Sequence, residues 1–580
     1  MKQILYLLLG CLIPFQFLTA KVYSSPERTP VDYVNPYIGN ISHLLVPTYP
    51  TVHLPNSMLR IYPERENFTG NTINGLPLIV TSHRGSSAFN LSPYQGELQK
   101  AGSIIQYGYD NEVIKPYYYS VDLDDDGIYV QYAPSHQSGI YQIDFSQTDK
   151  PAYLIFNTRD GELKTDGKSI SGYQKLGNHT QVYIYLETDQ QPLKIGTHQG
   201  AVIRTTDKST QGHNAYYILE YPKGTASVLL RYGVSFISSE QAKQNLRREI
   251  KNYNLQAVAD KGRSVWNETL GKIFVKGGTE NEKTVFYTSL YRTYERMICI
   301  SEDGRYFSAY DGQVHDDEGI PFYVDDWIWD TYRATHPLRL IIETEMESNM
   351  VNSLIRMAYQ MQPNWMPTFP EINGDSRRMN CNHGVATVLD AYNKGMRSFD
   401  LAKAYQVCKA AITEKTLAPW SSKPAGVLDQ FYKDHGYFPA LAVGEQETVP
   451  EVHSWERRQP AAVTLGTVYD EWCLGNIAQA LGDKKEADYF LKRSLNYHKI
   501  FNKETCFFHP KDSFGNFIQP FDYRYSSGVG GRDAYDENNG WVYRWDLPHN
   551  VADLVNMMGG KERFVEELER MYSTLSLIHI

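Results

Sequence analysis

The spacing of apolar residues changes period once along this chain, near residue 237, and that change limits what each half can become. From about 31 to 236 the sequence runs in short stretches of alternating or continuous apolar residues. Examples are 103–109 (SIIQYGY), 127–133 (GIYVQYA), 139–145 (GIYQIDF), 152–157 (AYLIFN), 181–187 (QVYIYLE), 214–221 (NAYYILEY) and 226–234 (ASVLLRYGV). Gly, Asp, Asn and Pro separate them, the pattern of many short strands joined by turns, which predicts an antiparallel β-sandwich over 21–237. Residues 238–273 switch to helical spacing, opened by Ser238-Ser239-Glu240, and predict a helical linker. Beyond it, helices are predicted over 283–297, 327–344, 346–361, 383–394, 399–414, 464–481, 484–501, 550–558 and 562–572. Between them lie long loops at 315–326, 363–382, 416–460 and 506–546, rich in Trp, Tyr, Asp and His. Such a series suits a ring of helix pairs over 274–574, although period alone does not separate a closed (α/α) barrel from an open array. The fold class expected is a multidomain α and β chain.

At 580 residues the chain is too long for one core. Its net charge of −10 gives no general attraction to nucleic acid or anionic lipid, so neither is expected as a partner. Residues 1–20 read as a secretory signal: a basic start, an apolar run over 4–17, and a small-residue cleavage site at Ala20. That run is too short to span a bilayer, and no other stretch is long and apolar enough. Leu8-Leu9-Gly10-Cys11 resembles a lipoprotein box, so a lipid anchor at Cys11 is the alternative. The expected location is exported, in the periplasm or on the outer surface of a Gram-negative bacterium. Cys299, Cys381, Cys408, Cys473 and Cys506 are odd in number and lack CxxC spacing, which predicts neither a disulfide framework nor a zinc site but buried thiols, most of them on helices. The 44 Tyr have two readings, a glycan-handling surface or the ordinary preference of strands.

Chemistry is concentrated in two segments. Trp329-Asp330-Thr331-Tyr332-Arg333 sets an aromatic face beside a carboxylate, the pair that suits the C–H surface and hydroxyls of a sugar ring. Asp536-Glu537-Asn538-Asn539-Gly540-Trp541 offers a second acid beside a Trp, as needed to protonate a departing glycosidic oxygen. The acid expected is Glu537, because Asp533 and Asp536 crowd the same loop and neighbouring carboxylates raise one another's pKa. Its bland alternative is a solvated acidic turn. For Trp329 and Asp330 the alternative is a core Trp with Asp330 paired to Arg333 on a helix. His383 at a helix start could equally be a cap, and Asp470 and Glu471 a solvated pair. Phosphate loops, GxSxG, HExxH and DxDxDG motifs are absent from the sequence.

Several short motifs in order resemble glycoside hydrolase family 92, calcium-dependent exo-acting α-mannosidases. They begin at Val31-Asp32-Tyr33-Val34-Asn35-Pro36-Tyr37-Ile38-Gly39 and continue with Phe322-Tyr323, Trp329 to Arg333 and His336-Pro337-Leu338. Asp375-Ser376, Met379, His383, Asp390-Ala391 and Lys394-Gly395 come next, then Tyr469-Asp470-Glu471-Trp472 and Pro520-Phe521-Asp522. Glu537 to Tyr543, Pro548-His549-Asn550 and Met558-Gly559-Gly560 close the series. The resemblance implies a β-sandwich, a linker and an (α/α)6 barrel, with an inverting mechanism and a Ca²⁺ ion on the mannose hydroxyls. It implies Glu537 as general acid, with Trp329, Asp330, Arg333, Asp375, Arg378, His383, Asn539 and Trp541 binding substrate, an oligosaccharide or N-glycan. Departures are Asn538 and Val542 for the family's Gly and Gln, Gly466 for a Glu, and altered segments at 49–56 and 81–86. They bear on sugar or linkage, so a related (α/α)-barrel glycosidase and a non-catalytic glycan-binding protein are the rival readings. The family runs on well past Gly560. Residues 575–580 (LSLIHI) read like translated sequencing adapter, so the expectation is a truncated barrel that lacks the catalytic base and most calcium ligands and is inactive as it stands.

Overall fold

In a computed structural model, the described residues are 28–574 apart from 42–47, 66–68, 82–86, 124–126, 148, 200–201 and 526–532. The signal-like run with Cys11, most of the 81–86 segment, Gly530-Gly531 and the 575–580 tail lie outside them.

As the alternating pattern predicts, the first half is an antiparallel β structure whose main ladder runs through fourteen described strands. Ala152–Thr165 is the pivot of this ladder. One edge pairs along its length with Ser209–Tyr221. Its other edge pairs first with Phe89–Tyr94 and then with Ser169–Gly177, so the ladder divides into layers around one apolar interior. Phe89, Val121, Val130, Ile143, Leu154, Phe156, Ile184 and Leu230 meet there, fully buried. At 25 cal/mol per Å², each such side chain contributes about 1.5–3 kcal/mol. Tyr132, Tyr141 and Tyr232 are buried in the same core: Tyr141 Oη donates to the Pro77 carbonyl (2.5 Å) and Tyr232 Oη to that of Leu78 (2.7 Å). Here the tyrosines serve as strand-filling side chains whose hydroxyls tie one layer to the next.

Two helices, Ser239–Glu249 and Leu255–Leu270, follow the sandwich, each opened by a side-chain cap, Ser238 or Asn254. Trp266 is fully buried and donates from Nε1 to the His53 carbonyl at 2.7 Å, locking the linker onto the sandwich. The helical domain then begins with Glu280–Arg292. Its centre is Pro460–Ala480, buried on most sides and packed against Gly384–Asn393, Leu401–Thr413 and Lys484–Arg493. Between residues 298 and 324 the chain makes two small antiparallel pairings, Ile298–Cys299 with Tyr323–Val324 and Arg305–Ser308 with Gln313–Asp316. The helix predicted over 327–344 is broken into Ile328–Thr331 and Thr335–Ile342, and an unpredicted helix, Val427–His435, interrupts the 416–460 loop. All five described cysteines are free; Cys408 and Cys473 are buried on helices, whereas Cys381 and Cys506 are buried in loops and Cys299 is half-buried in a strand.

Candidate active site

Trp329 and Asp330 ride on the four-residue helix Ile328–Thr331, which is too short to hold itself and is fixed from beneath. The anchor is Asp326, fully buried, whose Oδ1 accepts from Thr331 Oγ1 (2.9 Å) and Oδ2 from His336 Nε2 (2.8 Å). The other ring nitrogen of His336 donates to Glu347 Oε1 at 2.6 Å. Burial alone would lower the pKa of His336, but the charges of Glu347 and Asp326 outweigh it and push the ring up to about 10. An imidazolium that donates from both nitrogens is the only protonation state that satisfies two carboxylates. Asp326 also donates its backbone N–H to the Pro370 carbonyl (2.9 Å), tying this turn to the 370–378 loop. One residue earlier, Asp325 forms a buried ion pair with Arg60 of the sandwich (2.5 Å), and the Arg296 guanidinium lies 3.8 Å over the Trp327 ring.

A hydrogen-bond chain carries this platform to the second segment. Trp329 Nε1 donates to Asn380 Oδ1 (3.3 Å), and Asn380 Nδ2 donates to Gln459 Oε1 (2.7 Å) and to Asp536 Oδ2 (2.9 Å). Glu537 follows at φ 51°, in the left-handed region that non-glycine residues seldom adopt. Asn539 then caps the helix Gly540–Tyr543. Trp329, Arg333, Asp536, Glu537, Trp545 and Asp546 line one depression of about 490 Å³, with Leu568 and Met571 on a further wall. Sequence segments two hundred residues apart therefore share a single site.

Electrostatics join them too. Asp330 is exposed to solvent yet crowded by protein, and this crowding, followed by the charges of Glu537 and Asp326, pushes its carboxyl up to about 6 while Arg296 pulls it down. The partners differ from those expected at the sequence level. Asp533 is ion-paired to Arg457 and the buried Asp536 carboxylate accepts from Asn380, while the charge of Glu537 is felt at Asp330. Arg333 pairs with Asp546 (2.9 Å), not with Asp330.

The remaining predicted residues lie at differing distances from this chemistry. Asp375 has its carboxylate committed to the backbone N–H groups of Thr368 (3.0 Å), Phe369 (2.9 Å) and Arg377 (3.0 Å), a clamp on the 368–377 loop. Arg378 pairs with Glu371 at 3.4 Å and lies 5.9 Å over the Trp420 ring. His383 precedes the helix Gly384–Asn393, is buried against Tyr332 (4.2 Å between rings) and donates from Nδ1 to Asp470 at 2.8 Å. Asn539 spends its side chain on the Trp541 N–H (3.1 Å) and the Arg524 carbonyl (3.3 Å). Trp541 packs edge-on against Phe507 and is not part of the depression's lining. Asp470 and Glu471 are not solvated: Glu471 accepts from Arg493 Nε (2.6 Å) and Tyr432 Oη (3.0 Å), and burial pushes it up to about 7. Sequence reasoning missed Asn380 and the Asp326–His336–Glu347 set. An Asp and a His flanking the Trp329 motif were a signal, but their ten-residue separation hid the contact.

Gly466 has no room for a side chain, since a Cβ there would lie 2.3 Å from Cys381 Sγ. The thiol fills the space into which a family glutamate would begin. Among the described residues no three His, Cys, Asp or Glu side chains gather as a metal site. A larger depression of about 590 Å³ lies along residues 440–458 and 510–521. Its Asp533 and Glu447 carboxylates are ion-paired with Arg457 and Arg458.

Known proteins resemble this chain over most of its length. Residues 241–577 match the glycosyl hydrolase family 92 catalytic domain and 33–235 that family's N-terminal domain. The family 92 inverting mannosidase of Bacteroides thetaiotaomicron superposes with a TM-score of 0.82 at 25% identity, over 94% of this chain and 74% of that one. An α-mannosidase of the same family and organism, solved with mannoimidazole, gives 0.82 at 22% identity, over 94% and 74%. An uncharacterized secreted glycosidase of Arthroderma benhamiae is 23% identical over 651 residues, 97% of this chain and 76% of that protein. The chain belongs to glycosyl hydrolase family 92.

Proposed function

We propose that this family 92 glycosidase is an exo-acting, inverting α-mannosidase that removes terminal mannose from glycans. The observation that carries the reading is the placement of Glu537 and Trp329 in one depression, with Asp330 close enough to feel the charge of Glu537. The names of two solved relatives support mannose as the sugar. In this reading Trp329 offers its face to the C–H surface of the terminal ring and ionised Asp330 accepts hydrogen bonds from its hydroxyls. Glu537 gives its proton to the glycosidic oxygen as the C1–O bond breaks. A water whose proton passes to a base attacks C1 from the opposite face, so the product is inverted. We assign no base among the described residues. Calcium dependence belongs to the proposal as well, and no step is derived through the ion. Export is also proposed, supported by the secreted relative. Among the described residues no helix is long and apolar enough to cross a membrane.

The test is release of free mannose from p-nitrophenyl α-mannoside and from α-linked mannotetraose by the protein, with and without a chelator. Release abolished by chelation on both substrates, and by Glu537→Gln on mannotetraose, whose leaving oxygen needs the proton, is expected. Release of a different sugar would move the protein to another specificity, and binding without release would make it a glycan receptor.

A further inference from the structure

We propose that Asn380 is the positioning residue of this site: one carboxamide that fixes the aromatic platform at Trp329 and the acid at Glu537 relative to each other. This rests on the glycosidase reading above. It adds a residue that touches neither sugar nor reacting atoms, since Asn380 is buried behind the lining of the depression.

Hydrogen-bond polarity is the first argument. An indole N–H can only donate, so Oδ1 of Asn380 faces Trp329 Nε1 (3.3 Å). Its Nδ2 then points the other way and donates twice, to Asp536 Oδ2 (2.9 Å) and to Gln459 Oε1 (2.7 Å). Gln459 is oriented in turn and donates from Nε2 to Oε2 of the fully buried Glu456 (3.1 Å). Among side chains only a carboxamide offers an acceptor on one side and two donors on the other in a flat group of this kind. Asp536 is held at a second point, its carbonyl accepting from Tyr543 Oη (3.0 Å). Glu537 comes next in the chain, so its direction of departure is set by a residue anchored at both ends.

Backbone conformation is the second argument. Met379 (φ 66°) and Cys381 (φ 60°) flank Asn380, Gln459 (φ 48°) accepts from it, and Glu537 (φ 51°) follows Asp536. All four are non-glycine residues in the left-handed region, a conformation that persists where the surroundings over-determine it and that gathers at functional sites. The three segments that carry them meet at the Asn380 side chain. The turn that bears this side chain is itself tied down: the Met379 carbonyl accepts from the Trp420 N–H (3.3 Å), and the Asn382 N–H donates to Asp470 Oδ2 (2.8 Å). The amide therefore hangs from a fixed backbone and passes that position to both halves of the site.

Two variants test this: Asn380→Leu keeps the volume and removes the amide, and Asn380→Asp keeps the shape and changes the donors. p-Nitrophenolate departs with little help from an acid, whereas a sugar oxygen needs the proton. With Asn380→Leu, kcat on α-linked mannotetraose should fall about 100-fold, the scale of an acid misplaced by about 1 Å. On p-nitrophenyl α-mannoside it should fall by less than about ten-fold. Asn380→Asp sets a second carboxyl against Asp536, which holds its proton more tightly. Once protonated, it donates to Asp536 and accepts from Trp329 as the amide did. Its rate on mannotetraose relative to wild type should therefore recover about ten-fold between pH 8 and pH 5. A merely structural role produces neither the substrate split nor the pH recovery. Equal losses on the two substrates, loss on neither, or a deficit in Asn380→Asp that ignores pH overturns the proposal. If Asn380→Leu does not fold, the pH recovery decides alone. If wild type releases mannose from neither substrate, the mannosidase reading fails by itself. The coupling is then read from the Trp329 indole N–H resonance of ¹⁵N-tryptophan-labelled protein, assigned by its loss in Trp329→Phe. A shift of that resonance in Asp536→Asn supports the link through Asn380, and an unmoved resonance overturns it.

Discussion

The imidazolium of His336 should make stability depend on pH in a way that one substitution removes. His336 is buried to 1% between Asp326 and Glu347, and its pKa stands at about 10 against the ordinary 6.5. Each pKa unit is worth 1.36 kcal/mol, so the charged form is favoured by about 5 kcal/mol in the folded state. For a base whose folded pKa lies above its unfolded one, that contribution is whole below pH 6.5 and is lost as pH rises through about 10. Wild type should therefore lose about 1.4 kcal/mol per pH unit from this group across that window. His336→Gln should lose about 3–5 kcal/mol near neutrality, the cost of breaking a buried charge set, and its stability should then be nearly flat over the same window. Urea unfolding followed by tryptophan fluorescence at pH 6, 7.5 and 9 measures both quantities. A variant whose midpoint tracks that of wild type in parallel at all three pH values would refute the imidazolium. The same substitution frees Thr331 from a fixed Asp326 and so loosens the helix that carries Trp329 and Asp330.

Asp330, at about 6, must ionise to accept hydrogen bonds from the sugar hydroxyls, so kcat/KM should fall on the acid side of pH 6. Asp330→Asn should remove that limb from the pH–rate profile, and a limb left in place would assign it to another group. Gly466→Ala should lower the unfolding free energy by about 1–3 kcal/mol through overpacking against Cys381. Adding Cys381→Ala should restore most of that loss; a double variant as unstable as the single one would put the strain elsewhere.

How much was legible follows from which forces act locally. Thr180–Thr188 was readable because one face is buried and the period of two shows directly, and Ser227–Ser235 as a short apolar run buried on both faces from 230 to 235. Helices such as Leu401–Thr413 were readable from their amphipathic spacing and the Asp400 cap. Val427–His435 was lost inside a long polar loop, although Asp429 bonding back to the Gly426 N–H (2.7 Å) and the left-handed Gly436 mark both of its ends. The break at residues 332–334 had a local signal in Pro337, which lacks the N–H a continuous helix would aim at Arg333, and it is fixed by the bonds of Asp326 and His336. In the site, the two motifs that share a depression were visible as motifs. The Asn380 link and the facing of Asp330 on Glu537 arise only when three distant segments pack. Asp375 and Asn539 stood inside matching motifs, yet their bonds go to backbone groups, and residue type alone does not separate a loop clamp from a sugar ligand.

The central claim is that Glu537 protonates the leaving oxygen of an α-mannoside and that water enters from the opposite face. Proton NMR of the first product formed from p-nitrophenyl α-mannoside tests it most directly. The account predicts β-mannose appearing before α-mannose, and no β-mannose from mannotetraose with Glu537→Gln. An α-mannose first product, or a Glu537→Gln protein that hydrolyses mannotetraose at the wild-type rate, would contradict it.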